Sequence, residues 1–429
     1  MNIYVLNNAL VKLENERMFY DEFGKVLRAK IKKFQKDYRI GLKIYDFLCD
    51  SMEGENDLKT QQEKLKDLLS EKINDKTKIG DLFICEFDKE TSELKYSLKI
   101  SKDMEFYSPE KVRDKIIELN SAIKSIGEQT VVSCVQYFEE FFDGLLRNLM
   151  EQYPEKYFYD KKIDYKDVVQ NSLSEIKDKV IGNEVYSMMH GVVDSVKKIN
   201  DKHSLGLSNY NDLFEKYIEI DAHRDIIVHN FGKANKDYND AVAKRFQKEL
   251  GKYINIDDKY INDTIDNIEK FEFLLYYLCG KTDEEENLLE KIAFNFLCKE
   301  HWDNSLFFYD LLKRIKKKDN RILLMTYQVN YALAYKYLEG MEKAKEIIEE
   351  IDVSGMNDTF VIAKHLLLEE NEDAFNILVN TYPNSFRIHS IIQWPIFKEF
   401  RKTEYFGNFI KKFEDDFNEY SSLSCLCDD

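Results

Sequence analysis

Apolar residues recur along this chain at steps of three and four. Val131, Val135, Phe138, Phe142, Leu145 and Leu149 draw a single stripe, the spacing that about 3.6 residues per turn imposes on a helix face turned to a core. The helix that carries it is predicted to end before Pro154. Upstream, Ser108-Pro109-Glu110 reads as a helix start, with serine as N-cap, proline at the first helical position and a carboxylate in the first turn. Further stripes run through Val168 to Ile181, Val185 to Ile199, Tyr210 to Phe231 and Ile261 to Leu278, the last closed by Gly280. Several helices with one stripe each pack as a bundle.

Two flanking regions differ from this pattern. Residues 1–107 read as mixed: helical patterns to about residue 73, then DLFICEF and ELKYSLKI, which alternate enough for a small hairpin. A new domain is predicted to begin at 108 and to run to 282. From 283 to 429 small residues, Ala332, Ala334, Ala344, Ala363 and Ala374, stand where close helix crossings need them, and Ala344 to Ala374 is a spacing of 30. This region resembles degenerate tetratricopeptide-like helical hairpins, with ordinary nonrepetitive helices as the alternative. It is expected to be separable and to offer a surface to a protein partner or to a second copy. The fold class is therefore mainly α, with a small mixed N-terminal region.

Composition sharpens the picture. With only 4 Pro and 15 Gly in 429 residues, turn-dense β architecture is excluded. No apolar run approaches the ~20 residues that span a bilayer, and the N-terminal stretch lacks the pattern of a signal peptide, so no membrane role and a cytoplasmic location are expected. The seven cysteines are scattered and suit reduced thiols. Cys298-x-x-His301 and Cys425-x-Cys427 are metal-like fragments without a second ligand pair at a structural-zinc spacing, so no metal and no cofactor are expected. The net charge of −17 argues against nonspecific coating of nucleic acid. Two segments run the other way: Lys25 to Arg39 carries seven basic residues against Asp37, and Lys313 to Arg321 six against Asp319.

The chemistry concentrates in AHRDIIVHNFGKANKDY, Ala222 to Tyr238. On the stripe Leu213, Tyr217, Ile220, 224, Ile227, Phe231, position 224 is an arginine. A guanidinium cannot lose its proton, so an apolar seam demands a carboxylate, a partner subunit or an anionic ligand to meet it. Asp225 lies four residues before His229 and on its face, placed to orient the imidazole. Arg224 and His229 are ~140° apart around one straight helix. A joint site thus needs a break at the helix end, for which Gly232 as C-cap is suited, or a second copy across a dimer axis. A purely structural reading stays open, in which Arg224 pairs with a carboxylate such as Glu139 or Glu140 and His229 caps a carbonyl.

The string RDIIVHN-G resembles the R-x(4-6)-H signature of the HEPN superfamily. VHNFGKANKDY is similar to the H-N-x-G-x-x-N-x-x-Y continuation of its bacterial branches, and VVSCVQYFEEFFDGLLRNLMEQYP to their first core helix. Asp225 stands where asparagine is commoner. The resemblance covers roughly residues 110–280 and implies a HEPN-like helical bundle acting as a dimeric, metal-independent endoribonuclease. In such an enzyme the 2′-hydroxyl of RNA attacks in line, leaving a 2′,3′-cyclic phosphate and a 5′-hydroxyl. It assigns catalysis to Arg224, for charge stabilisation, and His229, for proton transfer or phosphate contact. Asp225, Asn230, Gly232, Asn235 and Tyr238 are the supporting residues. Such domains fused to other modules resemble conditional toxins or phage-defence effectors; the alternative is a noncatalytic module that binds RNA, nucleotide or a partner protein.

Overall fold

The long central stripe forms one helix. In a computed structural model, which describes residues 3–37, 72–74, 77–78, 83–88, 93–98, 109–280, 283–315 and 320–418, α1 (Ile3–Asp37) precedes two short antiparallel hairpins. These are β1 (Lys72–Asn74) with β2 (Thr77–Lys78), and β3 (Phe83–Asp88) with β4 (Glu93–Leu98). The second hairpin is the predicted one, in register Phe83 opposite Leu98 through Asp88 opposite Glu93. The helical pattern read between residues 38 and 71, Ser108, Cys49, Cys425, Cys427, the end of the first basic segment with Arg39 and part of the second lie outside the described residues.

Next comes α2 (Pro109–Gln152), unbroken for 44 residues and stopped before Pro154 as predicted. All six residues of its stripe are buried. After α3 (Pro154–Phe158), the stretch read as one stripe from Val168 divides into α4 (Tyr165–Gln170) and α5 (Leu173–Met189). The cause is local. Ser172 and Glu175 form a capping box, the hydroxyl accepting from the Glu175 amide at 3.3 Å and the carboxylate accepting from the Ser172 amide at 2.7 Å. That restarts the helix and leaves Val168 and Val169 exposed.

The chain continues through α6 (Val192–His203), α7 (Asn211–Asn230), α8 (Lys236–Ala241) and α9 (Asp258–Gly280). Then follow α10 (Asp283–Cys298), α11 (Trp302–Ile315), α12 (Arg321–Glu339), α13 (Met341–Glu349), α14 (Asp358–Leu367), α15 (Asn371–Thr381), α16 (Ile388–Gln393) and α17 (Glu404–Lys412). The architecture is mainly α, and none of the described helices is long and apolar enough to cross a membrane.

The residues gather into two compact units, one of Met1–Leu10, Phe138–Ile218 and Asp266–Asp429, the other of Val11–Tyr137 and Glu219–Ile265. Helices α1, α2, α7 and α9 each contribute a segment to both. In the larger unit Phe138 packs a tilted ring against Tyr217 (centroids 4.2 Å) and stacks on Phe271 (5.4 Å), a contact set worth more than its area alone. A β-carbon on Gly144 would meet Val5 at 2.6 Å, so glycine is what lets α1 approach α2 there. The five alanines singled out in the C-terminal region are all buried, on helices α12 to α15, where α12 packs on both α13 and α14, and α14 on α15. The smaller unit is built on Ala222, Ile226, Ala234, Tyr238, Val242 and Ile254.

Candidate functional site

The smaller unit contains the whole Arg-His motif. The buried face of α7 within it runs Glu219, Ile220, Ala222, His223 and Ile226. Arg224 therefore sits at the edge of the apolar seam, not in it, with its side chain 26% exposed. The phase is one residue off the predicted stripe because Ile227 is only half-buried and Phe231 lies beyond the helix end. Arg224 Nη2 pairs with Asp221 (3.1 Å) and Nη1 with Asp225 (3.0 Å). Asp225 thus pairs with the guanidinium; the expected role of orienting His229 is not what its geometry shows. His229 is exposed in the last turn of α7. Both residues belong to one continuous helix, so no break between them turns Arg224 and His229 toward a common point.

The residues after His229 build a corner. Asn230 Nδ2 donates to the Lys233 carbonyl at 2.6 Å. Phe231 and Gly232 both adopt left-handed backbone, φ 54° and 72°, and the Gly232 amide closes onto the Ile226 carbonyl at 2.8 Å. The helix-ending role expected of Gly232 is thus shared with a phenylalanine, a bulky residue that is uncommon at positive φ. Asn235 caps α8 by accepting from the Tyr238 amide at 2.8 Å. Tyr238 is buried and donates to Glu219 Oε1 (3.2 Å) and to the Phe246 carbonyl (3.3 Å).

That last contact opens onto a network that sequence reading did not single out. The Tyr260 hydroxyl donates to the Glu219 carboxylate at 3.1 and 3.2 Å, and His223 Nδ1 lies 2.6 Å from the same hydroxyl oxygen. Since the hydroxyl has one proton and Glu219 takes it, Nδ1–H of His223 is the donor to Tyr260. Burial first, then the Glu219 charge, pushes the phenols of Tyr238 and Tyr260 well above their ordinary ionisation, so both stay donors. The available signal was Glu219 and His223 four apart on the buried face of an amphipathic helix.

Around the corner the surface is apolar and basic. Val228 (53%), Phe231 (84%), Leu250 and Tyr253 are exposed, and the Nζ atoms of Lys124 and Lys233 lie 4.2 and 5.0 Å from the centroid of the Tyr253 ring. Between residues 233 and 252 the basic side chains Lys233, Lys236, Lys244, Arg245, Lys248 and Lys252 outnumber Asp237, Asp240 and Glu249, against the acidic total. Comparison with known protein families, with curated proteins and with solved structures gave no match.

Proposed function

We propose that this chain is a HEPN-type endoribonuclease that cleaves RNA through Arg224 and His229 as a homodimer in the cytoplasm. The observation that carries the reading is a division of labour within the motif. Asn230, Gly232, Asn235 and Tyr238 each have a structural task in the corner, whereas Arg224 and His229 reach solvent from the helix that the corner terminates. A helix end that needed only to stop would not require an arginine and a histidine there.

Because α7 is continuous through both residues, the second Arg-His pair needed to complete a cleft has to come from another copy. Phe231 and Val228, exposed beside the motif, are the apolar residues such a copy would cover. The guanidinium would stabilise the charged phosphorane and the imidazole would move a proton or hold phosphate, with the 2′-hydroxyl as nucleophile and no ion needed in the step. A phosphate would have to compete with Asp221 and Asp225 for Arg224, which suits an activity held back until a trigger arrives, as in a toxin or phage-defence effector. The C-terminal helices are the surface for that trigger.

The same two ion pairs support a second reading, in which the module binds RNA, nucleotide or a protein without cutting. Arg224→Ala and His229→Ala separate the two. Each should abolish most cleavage of labelled RNA, a loss of about 10²-fold or more, with binding and folding retained. The products should carry 2′,3′-cyclic phosphate and 5′-hydroxyl ends, and a 2′-deoxy substitution at the scissile nucleotide should resist. Retained cleavage in the double variant, or 5′-phosphate ends, refutes the mechanism.

A further inference from the structure

The larger unit buries acidic groups against one another in a place unrelated to the motif. On α9, Asp266 and Glu269 stand one turn apart, and His301 immediately precedes α11. One ligand atom from each of the three lies within 4.8 Å of the others. Glu269 is 1% exposed; Asp266 and His301 are half-buried. Two carboxylates this close in a low-dielectric setting repel, and a cation between them removes the penalty.

A second, independent observation points to a ligand. Asn304, in the first turn of α11 and 1% exposed, inserts its amide into the cluster, Nδ2 donating to Asp266 (3.2 Å) and to Glu269 (2.7 Å). Its Oδ1 is buried with no hydrogen-bond partner among the described residues. Rotating the amide by half a turn, a change that leaves its shape intact, would present Oδ1 to a cation held by the two carboxylates. Glu272, a further turn along α9 and fully buried, has neither carboxyl oxygen hydrogen-bonded among the described residues. The nearest lysine on the helix, Lys270, is committed to Asp303.

We infer that Asp266, Glu269 and His301, with the Asn304 amide oxygen, bind one divalent first-row transition ion that clamps α9 to the start of α11. Two carboxylates, an imidazole and an amide oxygen are the donor set of Mn²⁺ or Zn²⁺ and not of a thiolate site, so Cys298, though three residues from His301, takes no part. Ligands at ~2.1 Å from an ion are ~3–3.4 Å apart, so atoms now at most 4.8 Å apart have to close by less than ~2 Å. The role is structural and independent of the proposed RNA cleavage.

Full-length protein stripped with a chelator and dialysed should take up Mn²⁺ in a calorimetric or electron-paramagnetic titration, one ion per chain, with Zn²⁺ competing. His301→Gln, at a half-buried position, and Glu269→Gln should each weaken binding at least 10-fold while circular dichroism stays that of the wild type. His365→Ala alters the other cluster of potential ligands among the described residues, the more exposed His365, Glu370 and Asp373, and should leave affinity unchanged. No uptake by folded wild type at millimolar Mn²⁺ overturns the site; so does unaltered affinity in His301→Gln, or loss of binding in His365→Ala. Should Glu269→Gln fail to fold, His301→Gln decides alone.

Discussion

Replacing Glu219 with alanine tests what holds the motif helix in place. The carboxylate accepts from Tyr260 at 3.1 and 3.2 Å and from Tyr238 at 3.2 Å, and lies 3.9 Å from His223 Nδ1. Its loss strands the Tyr260 hydroxyl more than the Tyr238 hydroxyl, which keeps the Phe246 carbonyl. A buried donor deprived of its acceptor costs about 1–3 kcal/mol, and the one methylene that alanine lacks adds about 0.8 kcal/mol of lost burial. The expected total is about 2–4 kcal/mol, overlapping the range found when one partner of a buried ion pair is removed. Glu219→Gln keeps the volume but turns a second acceptor into a donor facing donors, for about 1–2 kcal/mol; Tyr238→Phe removes one hydroxyl, for about 1 kcal/mol. Because the chain holds two units, a single unfolding midpoint would blend them. Native-state hydrogen exchange on peptides covering 219–230 reads the effect where it acts. The order Glu219→Ala, Glu219→Gln, Tyr238→Phe should appear as decreasing loss of protection. A Glu219→Ala protein within about 0.5 kcal/mol of wild type would show that the network contributes nothing to α7.

Other perturbations follow from single contacts. Phe231→Asn relieves a left-handed aromatic and should raise monomer stability by about 0.5–1 kcal/mol while weakening self-association, measured by light scattering across a dilution series; unchanged association removes Phe231 from the proposed dimer. Gly232→Val, at φ 72°, should cost about 1–2 kcal/mol in urea unfolding, and an indifferent result would mean the corner relaxes to negative φ. His203, 2.8 Å from the Tyr157 hydroxyl, has its pKa lowered to about 4, by burial first and then by Lys156 and Lys202. An imidazole depressed from 6.5 binds fewer protons folded than unfolded between those values, so its contribution is intact above pH 6.5 and is lost as pH falls towards 4. The melting temperature of His203→Gln should therefore fall less than that of wild type across that interval, and parallel profiles would refute the assignment.

What the sequence determined by itself is what depends on neighbours a few residues away. The stripe Val131 to Leu149, the stop before Pro154, the hairpin of β3 and β4 and the run of corner-forming residues from Asn230 to Tyr238 all follow from local periodicity, backbone preference and capping. Even the error at Val168 had a local remedy, since Ser172-x-x-Glu175 is a capping box written in four residues. Tertiary structure decided which partner each polar group takes. Spacing put Asp225 on the face of His229, yet in the folded protein it pairs with its chain neighbour Arg224, a choice of partner that helix periodicity does not encode. Glu219 and His223 acquired meaning from Tyr260, about 40 residues on, and Asp266 and Glu269 from His301 and Asn304, beyond the whole of α10. Helix periodicity marks a face to be buried. Desolvation then forces every polar group on that face to find a partner, and the partner's identity depends on which distant segment packs there, a choice no local pattern encodes.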